Sequence, residues 1–289
     1  MWVVFGATGH TGSVVAETLL SRRQPVRVLV RSADKAQAWK AGGAQVALGS
    51  LDDMSVLRKA LEGAAGAYVL LPPNYGAVAW MTEQRRRIDQ IAEALRTAQT
   101  PHVVFLSSVG AHRPSGTGPI RALHYGEQRL KTAVQRLTVL RPAYFLDNWA
   151  AGIAPARQHG VLPTFITPTK TIPMISTEDI GRIAAEQLLA GGKPVIELAG
   201  PEDYSPNQVA AALGDLLRRP VTAQHAPLNA VVPTFKSFGF SDEAAELFRE
   251  MYEGLESDRV DYEQPVNLVR GTVTLSEALR RMVQDSERS

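Results

Sequence analysis

The stretch WVVFGATGHTG, residues 2–12, constrains this chain more than any other. A short β-branched run enters a turn with glycines at 6, 9 and 12, and the turn opens into a helical pattern carried by Val14, Val15, Leu19 and Leu20. Glycine at the first position permits the tight turn. At the second it lets backbone approach a phosphate, and at the third it lets the helix pack on the strand, leaving helix N–H groups and dipole aimed at an anion. A glycine triplet alone says little; its place between a strand and a helix gives it meaning. The same glycines would also serve a βα turn that holds no ligand.

The rest of the first half repeats the pattern. Short apolar runs at Val26–Val30, Val46–Leu48, Ala67–Leu71, Val103–Ser107 and Leu137–Leu140 follow the first, at Trp2–Phe5. Helix-period faces lie between them, such as Met54, Leu57 and Leu61, or Ile88, Ile91 and Leu95. Strands that read as continuous apolar runs are buried on both faces. Their alternation with helices predicts right-handed βαβ units in an α/β fold, a doubly wound parallel sheet of the Rossmann kind.

After Arg141-Pro142 the texture loosens, and residues 151–173 read as loop with short apolar pieces. The helix STEDIGRIAAEQLLA and the strand VIELAG follow. In SPNQVAAALGDLLRR, Ser205 is an N-cap, Pro206 the first helical residue and Gln208 the far side of a capping box. Another helix is expected near Ser241. The expected division is a nucleotide-binding domain over 1–150, with 174–200 returning to it. A smaller C-terminal α/β cap would comprise 151–173 and 201–289.

Composition removes several classes of function. A formal net charge of +2 makes no nucleic-acid footprint. With no cysteine, disulfides, thiolate metal sites and cysteine nucleophiles are absent, which suits a reducing cytoplasm. His102, His112, His159 and His225 show no ligand spacing, so no metal is expected. No Gly-x-Ser-x-Gly elbow occurs. The opening residues lack the pattern of a signal peptide, and no apolar run is long enough for a membrane span. The expected location is the cytoplasm.

The Gly-x-x-Gly-x-x-Gly spacing departs from the Gly-x-Gly-x-x-Gly fingerprint and resembles that of extended and atypical short-chain dehydrogenases/reductases. The string GATGHTG looks most like their NmrA-like branch. LTVLRPAYFLDNW, PMISTEDIGRIAAEQL and ELAGPEDYS are similar to later landmarks of that family, and the resemblance runs from residue 1 to about 210. It implies a bound dinucleotide at the turn, where Thr8, His10 and Thr11 accompany the glycines.

About 20 residues past the glycines an NAD site carries an acid for the ribose hydroxyls. Arg31 stands there instead, with Lys35 beyond it. A guanidinium suits a 2′-phosphate through planar, charge-assisted hydrogen bonds, so NADP(H) is expected over NAD(H). A solvated arginine at a strand end would look the same. The resemblance further places Leu51 and Asp52 against adenine, although Asp52 equally fits a helix cap. Leu71, Pro72 and Pro73 would lie against the cofactor, and Tyr144 and Phe145 against the nicotinamide.

The family's catalytic serine follows the fifth strand, where this chain has Ser107 and Ser108. The loop HRPSGTGP, within residues 111–119, reads as a flap over the site. Then comes HYGEQRLK. Short-chain dehydrogenases use Tyr-x-x-x-Lys, in which a cation one helical turn on lowers the phenol's pKa. Arg129 holds the cation's place relative to Tyr125, while Lys131 falls about 120° around the helix. Arginine keeps the charge but passes no proton. Tyr125 and Arg129 are therefore candidates for acid catalysis, or an ordinary pair on a solvated helix face. His124 begins the same helix. Trp149, Tyr204, Phe235, Phe238 and Phe240 are candidates for a flat apolar substrate pocket, or for core.

Two functions fit. One is an NADPH-dependent oxidoreductase that passes hydride to a quinone or another conjugated acceptor, whose reduced oxyanion needs little acid assistance. The other is a non-catalytic NADP(H)-sensing redox regulator acting through a protein partner.

Overall fold

The computed structural model describes residues 1–265 and 268–288. The chain begins as expected, with strands and helices in alternation. In order these are β1 (Trp2–Val4), α1 (His10–Ser21), β2 (Val26–Val30), α2 (Ala33–Ala41), β3 (Gln45–Leu48), α3 (Met54–Leu61), β4 (Gly66–Val69), α4 (Trp80–Thr97), β5 (His102–Leu106), α5 (Ile120–Lys131) and β6 (Arg136–Pro142). The second half adds β7 (Tyr144–Phe145), α6 (Ile153–His159), β8 (Val161–Thr164), β9 (Ile172–Ile175), α7 (Thr177–Ala190), β10 (Val195–Ala199) and β11 (Asp203–Tyr204). It ends with α8 (Pro206–Leu217), β12 (Thr222–His225), α9 (Val231–Ser237), α10 (Asp242–Glu256), β13 (Leu268–Arg270) and α11 (Leu275–Arg288).

An eight-stranded sheet runs β13-β10-β6-β5-β4-β1-β2-β3, and every pairing in it is parallel. Strand alternation sorts its side chains into two cores. Val4, Val28 and Tyr68 pack under α1 and α7, whereas Val3, Phe5, Ala67 and Phe105 pack under α3, α4 and α5. The order reverses at β1, from which β2 lies on one side and β4 on the other. That makes the crevice outside the carboxyl ends of β1 and β4 the ligand position of an open α/β sheet.

A third core of Leu146, Trp149, Leu162, Val209, Leu213 and Leu279 binds the C-terminal elements together. The capping box at Ser205 forms in both directions, and Ser241 caps α10 by accepting from the Ala244 N–H. Two expectations are corrected. Residues 151–173 are not loop: they fold into α6, β8 and β9, with β8 pairing β12 and β9 lying between β7 and β11. Nor does all of 201–289 belong to a cap, because Leu268–Arg270 pairs with Glu197–Ala199 as the edge strand of the main sheet. The buried Asp179 carboxylate anchors the segment after β13, accepting from the backbone N–H groups of Thr272 and Val273. Among the described residues no helix is long and apolar enough to cross a membrane.

Candidate active site

The phosphate turn has the geometry its glycines imply. Gly6 adopts a left-handed φ of +68°. At Gly12 a Cβ would sit 2.2 Å from the Gly6 carbonyl oxygen, so the helix reaches the turn only because residue 12 has no side chain. Helix α1 has no side-chain cap and no acid in its first turn, which leaves its N–H groups and dipole open to an anion. Thr8, Gly9 and His10 are exposed, and Thr11 is buried. The Tyr68 phenol, deep in the sheet, donates to Thr11 Oγ1 at 3.0 Å. Thr11 thus keeps its own hydroxyl proton to donate. Burial raises the Tyr68 pKa far above its usual value, so it remains a donor. Sequence reading missed Tyr68 because it is simply an aromatic in an apolar strand.

Arg31 and Lys35 stand exposed just beyond β2, and no hydrogen bond or ion pair among the described residues engages either. Asp52 does not cap the helix. The cap of α3 is Asp53, which accepts from the N–H groups of Ser55 and Val56. Asp52 receives Arg87 through both oxygens, at 3.1 Å each, and Arg86 at 3.0 Å. The Arg87 hydrogen bond chiefly holds its carboxyl below the usual range. Leu51, Leu71 and Pro72 are half-buried beside this cluster and the end of β4. Tyr144 and Phe145 point opposite ways from a strand: Phe145 packs on the core containing Ala7 of the phosphate turn, Tyr144 on the cap core. They do not line one surface.

Helix α5 presents two charged faces. Tyr125 donates to both oxygens of Asp89 on α4, at 3.0 Å each, and Arg129 Nε donates to Asp89 Oδ1 at 2.8 Å. Arg85 lies over the phenol ring, 5.4 Å from its centroid. All of these border an open surface groove between α4 and α5. Desolvation and then the Asp89 carboxylate raise the Tyr125 pKa, the reverse of what an acid–base tyrosine requires.

About 200° around the same helix, Glu127 is buried and accepts from the Ser107 hydroxyl at 2.5 Å. Arg141 donates to both Glu127 oxygens, at 2.9 and 2.6 Å, and reaches Glu263 at 2.5 Å. Burial works against the Arg141 charge, but the hydrogen bonds and charges of Glu127 and Glu263 outweigh it and raise its pKa. Glu197 completes the cluster by accepting from the backbone N–H groups of Glu263 and Gln264.

The expected constellation of Ser107, Ser108, Tyr125 and Arg129 is therefore not brought together. The serines end β5 at the crevice, while Tyr125 and Arg129 face α4. The residue of α5 that meets Ser107 is Glu127. Its signal was an acid inside the apolar stripe Ile120, Leu123 and Leu130. Ser107 has committed its proton to Glu127, whereas Ser108 is half-buried and its hydroxyl is not held by any described residue. His124 Nδ1 lies 2.8 Å from the Ala111 carbonyl oxygen, which fixes the ring beside this end of the sheet.

The segment expected as a flap is tied to the C-terminal elements. Arg113 binds both oxygens of Asp261, at 2.9 and 2.8 Å, and the Gly116 N–H donates to Glu250 at 2.8 Å. At Gly118 a Cβ would lie 2.0 Å from the Leu247 carbonyl oxygen, so the segment is pinned beneath α10. Among the described residues, no cluster of His, Asp or Glu is arranged to hold a metal.

The profile of the NmrA-like family matches residues 2–278. The chain belongs to the NmrA-like family. Quinone oxidoreductase 2 of Escherichia coli strain K12 is 26% identical over 253 residues, spanning 86% of this chain and 85% of that protein. The crystal structure of an NADPH-dependent quinone oxidoreductase from E. coli, complexed with NADPH, superposes with a TM-score of 0.83 at 24% identity, covering 98% of this chain and 99% of that one. The triphenylmethane reductase of Citrobacter sp. complexed with NADP(H) gives 0.82 at 20% identity, over 99% and 100% of the two chains. At such identities the structures speak for the fold, which this NmrA-like chain shares from end to end.

Proposed function

We propose that this protein is an NADPH-dependent oxidoreductase that reduces a quinone-like or other conjugated acceptor. The observation that carries the reading is the phosphate turn, whose Gly12 leaves no room for a Cβ and whose helix end carries no competing cap. The likeness to a quinone oxidoreductase over 86% of the chain supports the choice of reaction. The pyrophosphate would sit on the N–H groups at the start of α1, with the Thr11 hydroxyl donating and Thr8 and His10 at the rim. Arg31 and Lys35 would hold the 2′-phosphate. Leu51 would contact adenine, and Asp52, fixed by two arginines, would form the edge of that subsite. Leu71 and Pro72 would cover one side of the cofactor, with Phe145 on the side of the phosphate turn.

The bound cofactor would supply a hydride, and a quinone taking that hydride and one proton leaves as the hydroquinone. Ser108 would contact the acceptor oxygen, because its hydroxyl is free. Ser107 would offer only lone pairs, because its hydroxyl already donates its hydrogen bond to Glu127. Tyr125 and Arg129 would have no part in the proton step. No feature of the molecule separately favours the NADP(H)-sensing regulator.

NADPH consumption with a panel of quinones, run beside NADPH and NADH binding titrations, tests the reading. The expected result is turnover, with NADPH bound at least tenfold more tightly than NADH. Two charge-assisted hydrogen bonds from Arg31 are sufficient for that preference. Tight NADPH binding without consumption of any acceptor would overturn the enzyme in favour of the regulator. Equal affinity for NADH would remove the role of Arg31.

A further inference from the structure

The phenol of Tyr68 is a polar group inside an apolar core. Tyr68 stands in β4 opposite Val4 of β1, packs under α1 and α7, and is 0% exposed. A phenylalanine would fill that space without a polar atom to satisfy. Taking an O–H out of water is costly unless a partner meets it. Among the described residues the partner is Thr11 Oγ1, at 3.0 Å. Two hydroxyls carry two protons, and this hydrogen bond uses one of them. Tyr68 has no acceptor besides Thr11 among the described residues, and burial keeps its own proton in place. The proton left over is that of Thr11, which is 6% exposed in the first turn of α1. Helix N–H groups without intrahelical partners converge there.

Thr11 is held from other sides as well. The Phe5 N–H donates to the Tyr68 carbonyl oxygen at 3.0 Å, which ties β4 to the residue before Gly6. A Cβ on Gly181 of α7 would lie 2.8 Å from the Thr11 carbonyl oxygen, so α7 presses directly on the start of α1. The contact of Gly12 with Gly6 closes the other side. With its backbone fixed in this way, Thr11 keeps one freedom, the rotation of its hydroxyl. The phenol removes it.

We infer that Tyr68 is a positioning residue of the cofactor site: it turns the Thr11 hydroxyl proton toward the pyrophosphate, so the interior of the sheet tunes affinity for the diphosphate. The inference rests on the dinucleotide reading for its ligand. Its own content is that a residue touching no ligand strengthens binding by presetting a donor. A donor already turned toward an anion loses no rotation on binding, and its bond to a charged acceptor is of the stronger kind. In Tyr68→Phe the hydroxyl is free to turn, while the ring and its packing remain. Arg31 and Lys35, beyond β2, are untouched by the change.

The test is calorimetric titration with NADP+ and with adenosine 2′-monophosphate, which has the 2′-phosphate but no pyrophosphate. The proteins are the natural chain, Tyr68→Phe, Thr11→Val and the double variant. NADP+ binding is expected to weaken about fivefold to tenfold in Tyr68→Phe and about tenfold to 100-fold in Thr11→Val, which loses a whole hydrogen bond to a charged group. The double variant should bind as Thr11→Val does, because the phenol acts only through that hydroxyl. Affinity for adenosine 2′-monophosphate should stay within about twofold throughout. A loosened core would weaken both ligands alike, and that result overturns the inference. Unchanged NADP+ affinity in Tyr68→Phe, or losses that add in the double variant, overturn it too. If the natural protein binds no NADP+, the dinucleotide reading fails. Inorganic pyrophosphate then still decides Tyr68. The rise in Tm it gives the natural protein should shrink in Tyr68→Phe, and an equal rise, or none in either protein, removes the inference.

Discussion

The two faces of α5 hold the same kinds of group and differ in what surrounds them. On one, Arg129 and Asp89 keep 36% and 46% of their side chains exposed. On the other, Arg141 and Glu127 keep 5% and 6%. An exposed pair gains little, because water screens it and long side chains lose freedom in making it. A buried pair also gives little net stability against an apolar substitute, but removing one partner strands a charge out of water. The exposed face thus looks like catalytic machinery in sequence and acts as a surface contact. The buried face looks like nothing in sequence, yet it orients Ser107 and, through Arg141 and Glu263, ties residues 261–264 to the sheet.

That contrast can be broken by substitution. Glu127→Ala should have the largest effect, costing about 3–5 kcal/mol by leaving Arg141 buried with only Glu263. Chemical denaturation would show it, and a cost near that of a surface change would dissolve the distinction between the faces. Ser107→Ala comes next. It removes one hydrogen bond to a charged group and should cost about 1.5–3 kcal/mol, while cofactor affinity measured by titration stays as it was. Ser108→Ala, which disturbs no internal bond, should leave stability within about 0.5 kcal/mol and lower kcat by about tenfold. A larger kcat loss in Ser107→Ala than in Ser108→Ala would reverse their proposed roles.

The pH dependence gives a smaller signal. The Tyr125 pKa is raised, so the folded protein keeps this proton at pH values where the unfolded chain, near its ordinary value of about 10, loses it. Any stability linked to it is complete below about pH 10 and declines only above. No limb of a rate profile between about pH 6 and 9 should therefore disappear in Tyr125→Phe.

Legibility in the sequence tracked the range of the forces involved. The phosphate turn and the alternating elements were readable because glycine geometry and strand or helix period are local properties. The cap at Ser205 and the helix start near Ser241 were readable for the same reason. The edge strand Leu268–Arg270 was not, since three residues carry no period and its partner, Glu197–Ala199, is remote in the chain. That Asp52 is held by arginines instead of capping α3 was not readable, because Arg86 and Arg87 come from another helix. Arg141 was visible only as a marker of the chain's change in texture. Its burial against Glu127 and Glu263 depends on three separate segments meeting. Tyr125 was singled out by a spacing that satisfies helical geometry on any face; which face turns toward the serines is decided by packing.

Steady-state NADPH oxidation with a quinone, by the natural protein and by Tyr125→Phe, tests the assignment of the two faces most directly. Values of kcat and kcat/KM should agree within about twofold, because the phenol's partner is Asp89 on the outer face of the helix pair. A fall of about 100-fold or more in kcat, the size lost with a true general acid, would contradict that assignment and return the chemistry to Tyr125.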